Sequence, residues 1–193
     1  MSIILLIGII AWCYGLSVLK RAELPAYYFI FGSVGLFFIL FFLSRTYIMW
    51  LMIRAIIHGV SLVTTPLGLA TAYPIAGVFS ITHGVHTLLL SIDYECSGVL
   101  ETISFWALLF FFPVYKVREK LQWAGVGILW IFGANFIRLL LIISIVHYFG
   151  TSWFFLAHSI LGRLVFYILV VYFYYKVFTF GQLSEHRQEG VAR

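Results

Sequence analysis

Residues 124–146 read AGVGILWIFGANFIRLLLIISIV, and Arg138 is the one charge among them. A helix needs about 20 mostly apolar residues to cross the hydrocarbon core of a bilayer. This stretch meets that requirement, and similar runs recur on both sides of it. They are separated by breaks at 20–25 (KRAELP), 44–45, 69–96, 116–120 (KVREK) and 147–152. The spans expected from these breaks are roughly 3–19, 26–43, 46–68, 97–115, 124–146 and 153–178.

Composition agrees. Of 193 residues, 63% are hydrophobic and 10% charged, against roughly 45–50% and about 25% in soluble domains. So few polar side chains cannot cover a small soluble globule. The abundance of aromatic residues excludes a disordered chain. A nucleic-acid partner is not expected, because the net charge of +5 is scattered along the chain rather than gathered on one face. The expectation is an all-α polytopic membrane protein: a single membrane domain over 1–193, built as a six-helix transmembrane bundle, with an outer loop at 69–96 and a cytoplasmic tail at 181–193. The first run lacks the basic region and small-residue cleavage site of a signal peptide, so it reads as a retained anchor.

Orientation follows from the loop cations. One arrangement puts Arg45, Lys116, Arg118, Lys120, Lys176, Arg187 and Arg193 on one side, with Lys20 and Arg21 opposite. Positive charge stays in the cytoplasm. Both termini are then expected inside the plasma membrane, with 69–96 outside and Lys20-Arg21 as a local exception. Within that loop, 78–82 and 85–93 are rich in β-formers around His83-Gly84, which predicts a hairpin. At the outer surface its strand edges can still meet water.

Ionisable groups inside spans are costly and point to function. Arg54, His58, Glu101, Asn135, Arg138, His158 and Arg163 are the polar residues at issue. Asn135 and Arg138, i and i+3, share a helix face. By the ~1.5 Å rise per residue, Arg138 lies about 12 Å and His158 about 8 Å below the outer end of their helices. Arg138 can also reach upward along its stem. Cys96 opens the fourth span at that same surface. These depths allow sulfur, guanidinium and imidazole to converge.

The chemistry suits the convergence. A thiol attacks as thiolate, which the positive end of a helix and a nearby guanidinium both favour. His158 can take the thiol proton and return it to a leaving amine. Arg138 can hold an oxyanion with its fork of donors. Asn135 would orient Arg138 or the substrate carbonyl. Together these describe acyl transfer through a thioester. Neither a cofactor nor a metal is expected. His83-x-x-His86 lacks a second pair of ligands, and two distant cysteines, Cys13 and Cys96, make no disulfide scaffold.

Cys96-Ser97-Gly98 at a helix start, Asn135-Phe136-Ile137-Arg138 in the next helix and His158 in the last resemble the exosortase/archaeosortase family, in its compact Gram-positive form. The resemblance covers about residues 80–178. It implies a polytopic transpeptidase that cleaves C-terminal sorting signals of exported proteins and passes the acyl group to a surface acceptor. It implies Cys96 as nucleophile, Arg138 as electrostatic partner and His158 as acid/base. Asn135, Glu101, Arg163, Ser97 and Gly98 would support the site or substrate. Glu95 departs from the small residue usual before the Cys and sets an anion beside the thiol.

Other readings compete. Arg54, Arg138 and Arg163 would serve a small anion transporter, which gives no reason for a Cys at the fourth helix start. His58, His147 and His158 would serve a haem or quinone anchor. Arg138 would pair with Glu101 as a buried structural charge. Gly32-Ser33-Val34-Gly35 and Gly125-Val126-Gly127 read as sites of close helix packing.

Overall fold

The structure is a computed structural model describing residues 3–44, 48–84, 86–93 and 96–179. The expectations for Arg45, Glu95 and the tail 181–193 lie outside the described residues. Helix α1 (Ile3–Arg21) turns into α2 (Pro25–Ser44), and α3 (Ile48–Thr64) leads to three strands. These are β1 (Thr71–Tyr73), β2 (Val78–His83) and β3 (His86–Ser91), followed by α4 (Val99–Phe111) and α5 (Val117–Phe149). A short 3-10 turn, Thr151–Trp153, and a π-helical turn, Leu156–Leu161, then enter α6 (Gly162–Tyr174), which ends in a second π-turn, Tyr175–Thr179.

The chain is mostly helical. Three segments are long and apolar enough to cross a membrane: Pro25–Ser44, Val117–Phe149 and Thr151–Thr179. Large apolar side chains such as Ile30, Phe38, Leu129, Ile168 and Val171 face outward, as a lipid-facing surface requires. Local chemistry sets the limits of α5. The Glu119 carboxylate accepts the Lys116 backbone N–H at 2.8 Å, closing the helix start, and Gly150 ends the helix at φ +94°.

Two apolar cores stack along α5. The upper one joins Ile56, Ile57 and Val60 of α3 to Phe79 and Ile81 of β2 and to Ile142, Ile143 and Val146 of α5. The lower joins Phe105 and Leu109 of α4 to Ile131 of α5 and to Phe166, Val170 and Phe173 of α6. The expected hairpin is present, with His83 paired to His86 across the turn. A strand not expected, β1, adds to its other side, so the sheet runs antiparallel in the order β1-β2-β3.

Several glycines in the expected packing motifs do admit a neighbour. Gly32 sits under the Phe111 ring, Gly35 under the Trp12 indole and Gly127 under Phe105. Gly125 faces open space and packs against nothing.

The first half of the chain is arranged differently from six successive crossings. Tyr28 and Phe29, near the start of α2, pack on Phe111 and Phe112, at the far end of α4. Helix α2 packs along α4, and because it starts beside the far end of α4 it runs toward the end where α4 begins. The turn between α1 and α2 therefore lies at the same end as the α4–α5 turn, opposite the sheet. This corrects the expectation that 20–25 shares a face with 69–96.

Helix α3 then both starts and finishes at the sheet end. His83 Nδ1 bonds the His147 carbonyl at 2.6 Å near the top of α5. From there the six residues of β2 descend about 20 Å at most, or roughly 11–13 residues of α5. Gly77 therefore lies no deeper than about the level of Ala134 to Phe136. Ile53 of α3 meets the sheet at Gly77, and Gly59, six residues on, meets α5 at Phe132 and Phe136. The expected span at 46–68 is a helix of 17 residues, Ile48–Thr64, shorter than the three candidate spans. It is amphipathic: Ile56, Ile57 and Val60 are buried, while Trp50, Leu51 and Leu62 face outward.

Candidate active site

Cys96 follows the sheet at the seam between the two cores. Its N–H donates to the Asp93 carbonyl at 3.0 Å, a tight turn out of β3. Gly98 then adopts φ +75° and ψ 8° as the cap of α4, a left-handed conformation that glycine adopts without steric cost. Ser97 Oγ accepts the Val99 N–H at 3.4 Å, and Thr102 Oγ1 donates to the Gly98 carbonyl at 2.8 Å. The Cys-Ser-Gly run is thus a built helix entry that directs the sulfur inward.

Three elements bring partners to that sulfur. His158 Nε2 lies 3.5 Å from Cys96 Sγ, within reach for a thiol–imidazole hydrogen bond. Its ring stacks on Phe154, with centroids 5.2 Å apart. His158 lies within the π-turn Leu156–Leu161. The wider turn changes the side-chain direction relative to a regular helix, and such turns often mark functional sites. Gly162 permits it, since a Cβ there would press on the Ala157 carbonyl and Ile142.

Arg138 Nη2 donates to Cys96 Sγ at 3.7 Å. The guanidinium lies 5.6 Å from the centre of the Phe166 ring, and Arg138 is 4% exposed. Asn135, one turn below and 1% exposed, donates from Nδ2 to the Cys96 carbonyl at 2.7 Å. It holds the backbone of Cys96 and does not bond Arg138.

A cavity of about 560 Å³ opens at this group, bordered by Leu89, Ser91 and Asp93 on the sheet side and by Phe154 and His158 from the segment before α6, and lined also by Cys96. A second cavity of about 200 Å³ lies behind Arg138, between Glu101, Arg163 and Tyr167. Glu101 Oε2 and Arg138 Nε are buried there without hydrogen-bond partners among the described residues. The expected Glu101–Arg138 contact is thus not a closed ion pair; the two groups share the walls of a polar space. Arg163 borders that space and not the Cys96 cavity.

The rival assemblies find less support. Arg54 stacks over Trp50 at 4.1 Å, whereas Arg138 and Arg163 share the small cavity. The carbonyl of His147 receives His83, while His158 faces Cys96. Cys13 and Cys96 do not bridge each other.

Sequence reasoning missed Phe154, which backs the imidazole, and the β3 residues that border the cavity. An aromatic four residues before a histidine on a helix is the one signal that pointed to the first. No protein-family model matches this chain, and no curated protein or solved structure matches it.

Proposed function

We propose that the protein is a membrane cysteine transpeptidase of the exosortase/archaeosortase kind. It cleaves C-terminal sorting signals of exported proteins and passes the acyl group to an acceptor. The observation that carries this reading is the meeting of Sγ, Nε2 at 3.5 Å and Nη2 at 3.7 Å, supplied from three separate parts of the chain.

The thiol gives its proton to His158 Nε2, and the sulfur attacks the scissile carbonyl. Arg138 stabilises the negative oxygen of the tetrahedral intermediate. The C–N bond breaks, the leaving amine takes the proton from His158, and the acyl group stays on Cys96 as a thioester. An amine, hydroxyl or water then gives its proton to the same imidazole and attacks the thioester, which releases the thiol.

The membrane placement follows from the cations. Lys20, Arg21, Lys116, Arg118, Lys120 and Lys176 gather at the bundle end away from the sheet, so that end is cytoplasmic. The active site faces outward in the plasma membrane. Helices α1, α2, α4, α5 and α6 cross, and α3 lies in the outer interface as amphipathic helices do. Lys20-Arg21 is then no exception, because the turn that follows it belongs inside.

The test is a Cys96→Ala variant in the native host. Exported proteins with an apolar C-terminal tail should accumulate at full length and remain membrane-bound. Processing at the wild-type level would remove the proposal.

A further inference from the structure

The outer edge of β3 leads directly into the cavity at Cys96. In the β2–β3 ladder, the Ile92 N–H donates to the Gly77 carbonyl at 2.9 Å, so 77 and 92 form a hydrogen-bonded pair. Such pairs alternate along an antiparallel ladder. With Phe79 opposite Leu90, Ile81 opposite Leu88 and His83 opposite His86, the residues of β3 bonded to β2 are His86, Leu88 and Leu90. The backbone groups of Thr87, Leu89 and Ser91 therefore point away from β2. Among the described residues no fourth strand occupies that side, no backbone hydrogen bond reaches these three, and the Thr151–Trp153 turn is the short segment that comes near β3.

What that edge faces is the cavity. Leu89, Leu90 and Ser91 border it from β3, Phe154 and His158 from the segment before α6, and Cys96 also lines it. Its volume of about 560 Å³ lies within the roughly 300–1,000 Å³ of ligand pockets. Leu89 is 67% exposed and stands at the rim. A row of unpaired N–H and C=O groups beside a nucleophile is a template for an extended peptide.

We propose that the substrate binds as an added strand on β3, with the scissile carbonyl carried to Cys96 Sγ at the lower end of the edge. This deepens the transpeptidase reading and rests on it: it names the substrate conformation as extended polypeptide and the backbone of Thr87, Leu89 and Ser91 as the groups that hold it. Alternate substrate side chains then face the Phe154–His158 wall.

The test uses the full-length protein in lipid nanodiscs with Cys13→Ser, so that Cys96 is the sole thiol. It is reacted with iodoacetamide, which loses iodide, and with a library of tetrapeptidyl chloromethyl ketones, which lose chloride, as the sulfur–carbon bond forms and the thiol proton passes to solvent. Modification of Cys96 is followed by mass spectrometry. Selected peptides should react faster than iodoacetamide. N-methylation at alternate peptide nitrogens should slow them about tenfold, with little effect at the nitrogens between. Leu89→Pro removes an N–H that β2 does not use, a substitution an edge strand tolerates. It should lower the ratio of peptide to iodoacetamide rates about tenfold. A Cys96 that reacts with iodoacetamide but gains nothing from any peptide overturns strand addition alone. So does an N-methyl series without the two-residue alternation. A Cys96 inert to both reagents overturns the transpeptidase reading as well.

Discussion

Arg138 reaches the sulfur with Nη2 while its Nε stays buried beside the Glu101 cavity. One arm of the planar fork meets the sulfur, while Nε has no hydrogen-bond partner among the described residues, and a lysine cannot reproduce that fork. Arg138→Lys is expected to lower the turnover of a processed substrate on the order of 10²-fold, the usual cost of one lost electrostatic donor. Turnover near wild type, measured on the same reconstituted protein, would assign Arg138 to structure alone. The meeting of Cys96, Arg138 and His158 was legible because each is a polar residue at a countable depth in an apolar run. The partner of Asn135 was not. An amide donates or accepts in any direction, so its bond to the Cys96 carbonyl depends on how α4 docks on α5. Glu101 was legible as a neighbour of Arg138, but the gap that keeps the two from closing an ion pair is set by side-chain packing that spacing does not encode.

At the level of the element, the entry to α4 depends on one backbone conformation. Gly98 holds φ +75°, and a Cβ there would stand 3.4 Å from Ile131 Cγ2. Gly98→Ala is expected to destabilise the protein by about 1–2 kcal/mol and to slow Cys96 modification, because the turn that aims the sulfur shifts with it. Gly125→Ala is the matched control. It lies in α5 with nothing within 4 Å of the added Cβ, so it should be neutral or stabilise by up to about 1 kcal/mol. Thermal unfolding in detergent separates the two, and equal melting temperatures would refute the strain assigned to Gly98. The hairpin was readable from alternating β-formers around His83-Gly84. The three-residue β1 was not, because Thr71–Tyr73 is too short to carry a period. The π-turn around His158 leaves no mark on the apolar pattern either, since helical runs with and without it read alike.

For the whole molecule, hydrophobicity fixed which segments are helical and apolar but not which of them cross. Residues 46–68 are apolar enough to pass for a span. Two features of the sequence bear on the order we propose: Lys20-Arg21 as an apparent exception to the charge rule, and Arg54 with His58 on one face of α3. Neither outweighs a long apolar run until the α2–α4 contact is known. The arrangement is checked with single cysteines at Ala22, Arg118 and Ile75 in a Cys13→Ser, Cys96→Ala background, probed with a membrane-impermeant maleimide. Ile75, 93% exposed beside the sheet, should label from outside, and the Ala22 and Arg118 positions only after permeabilisation. Ala22→Cys labelling together with Ile75→Cys would restore the six-crossing order. Helix α5 has 33 residues, about 50 Å at 1.5 Å each, against a hydrocarbon thickness of about 30 Å. In the orientation we propose, counted up from Lys120, the lipid ends close to Arg138, and the remaining turns stand clear like a mast from which the sheet hangs. In the transpeptidase we propose, the sulfur then sits at the waterline, where a polypeptide still moored in the bilayer and a solute arriving from the exterior can reach the same atom.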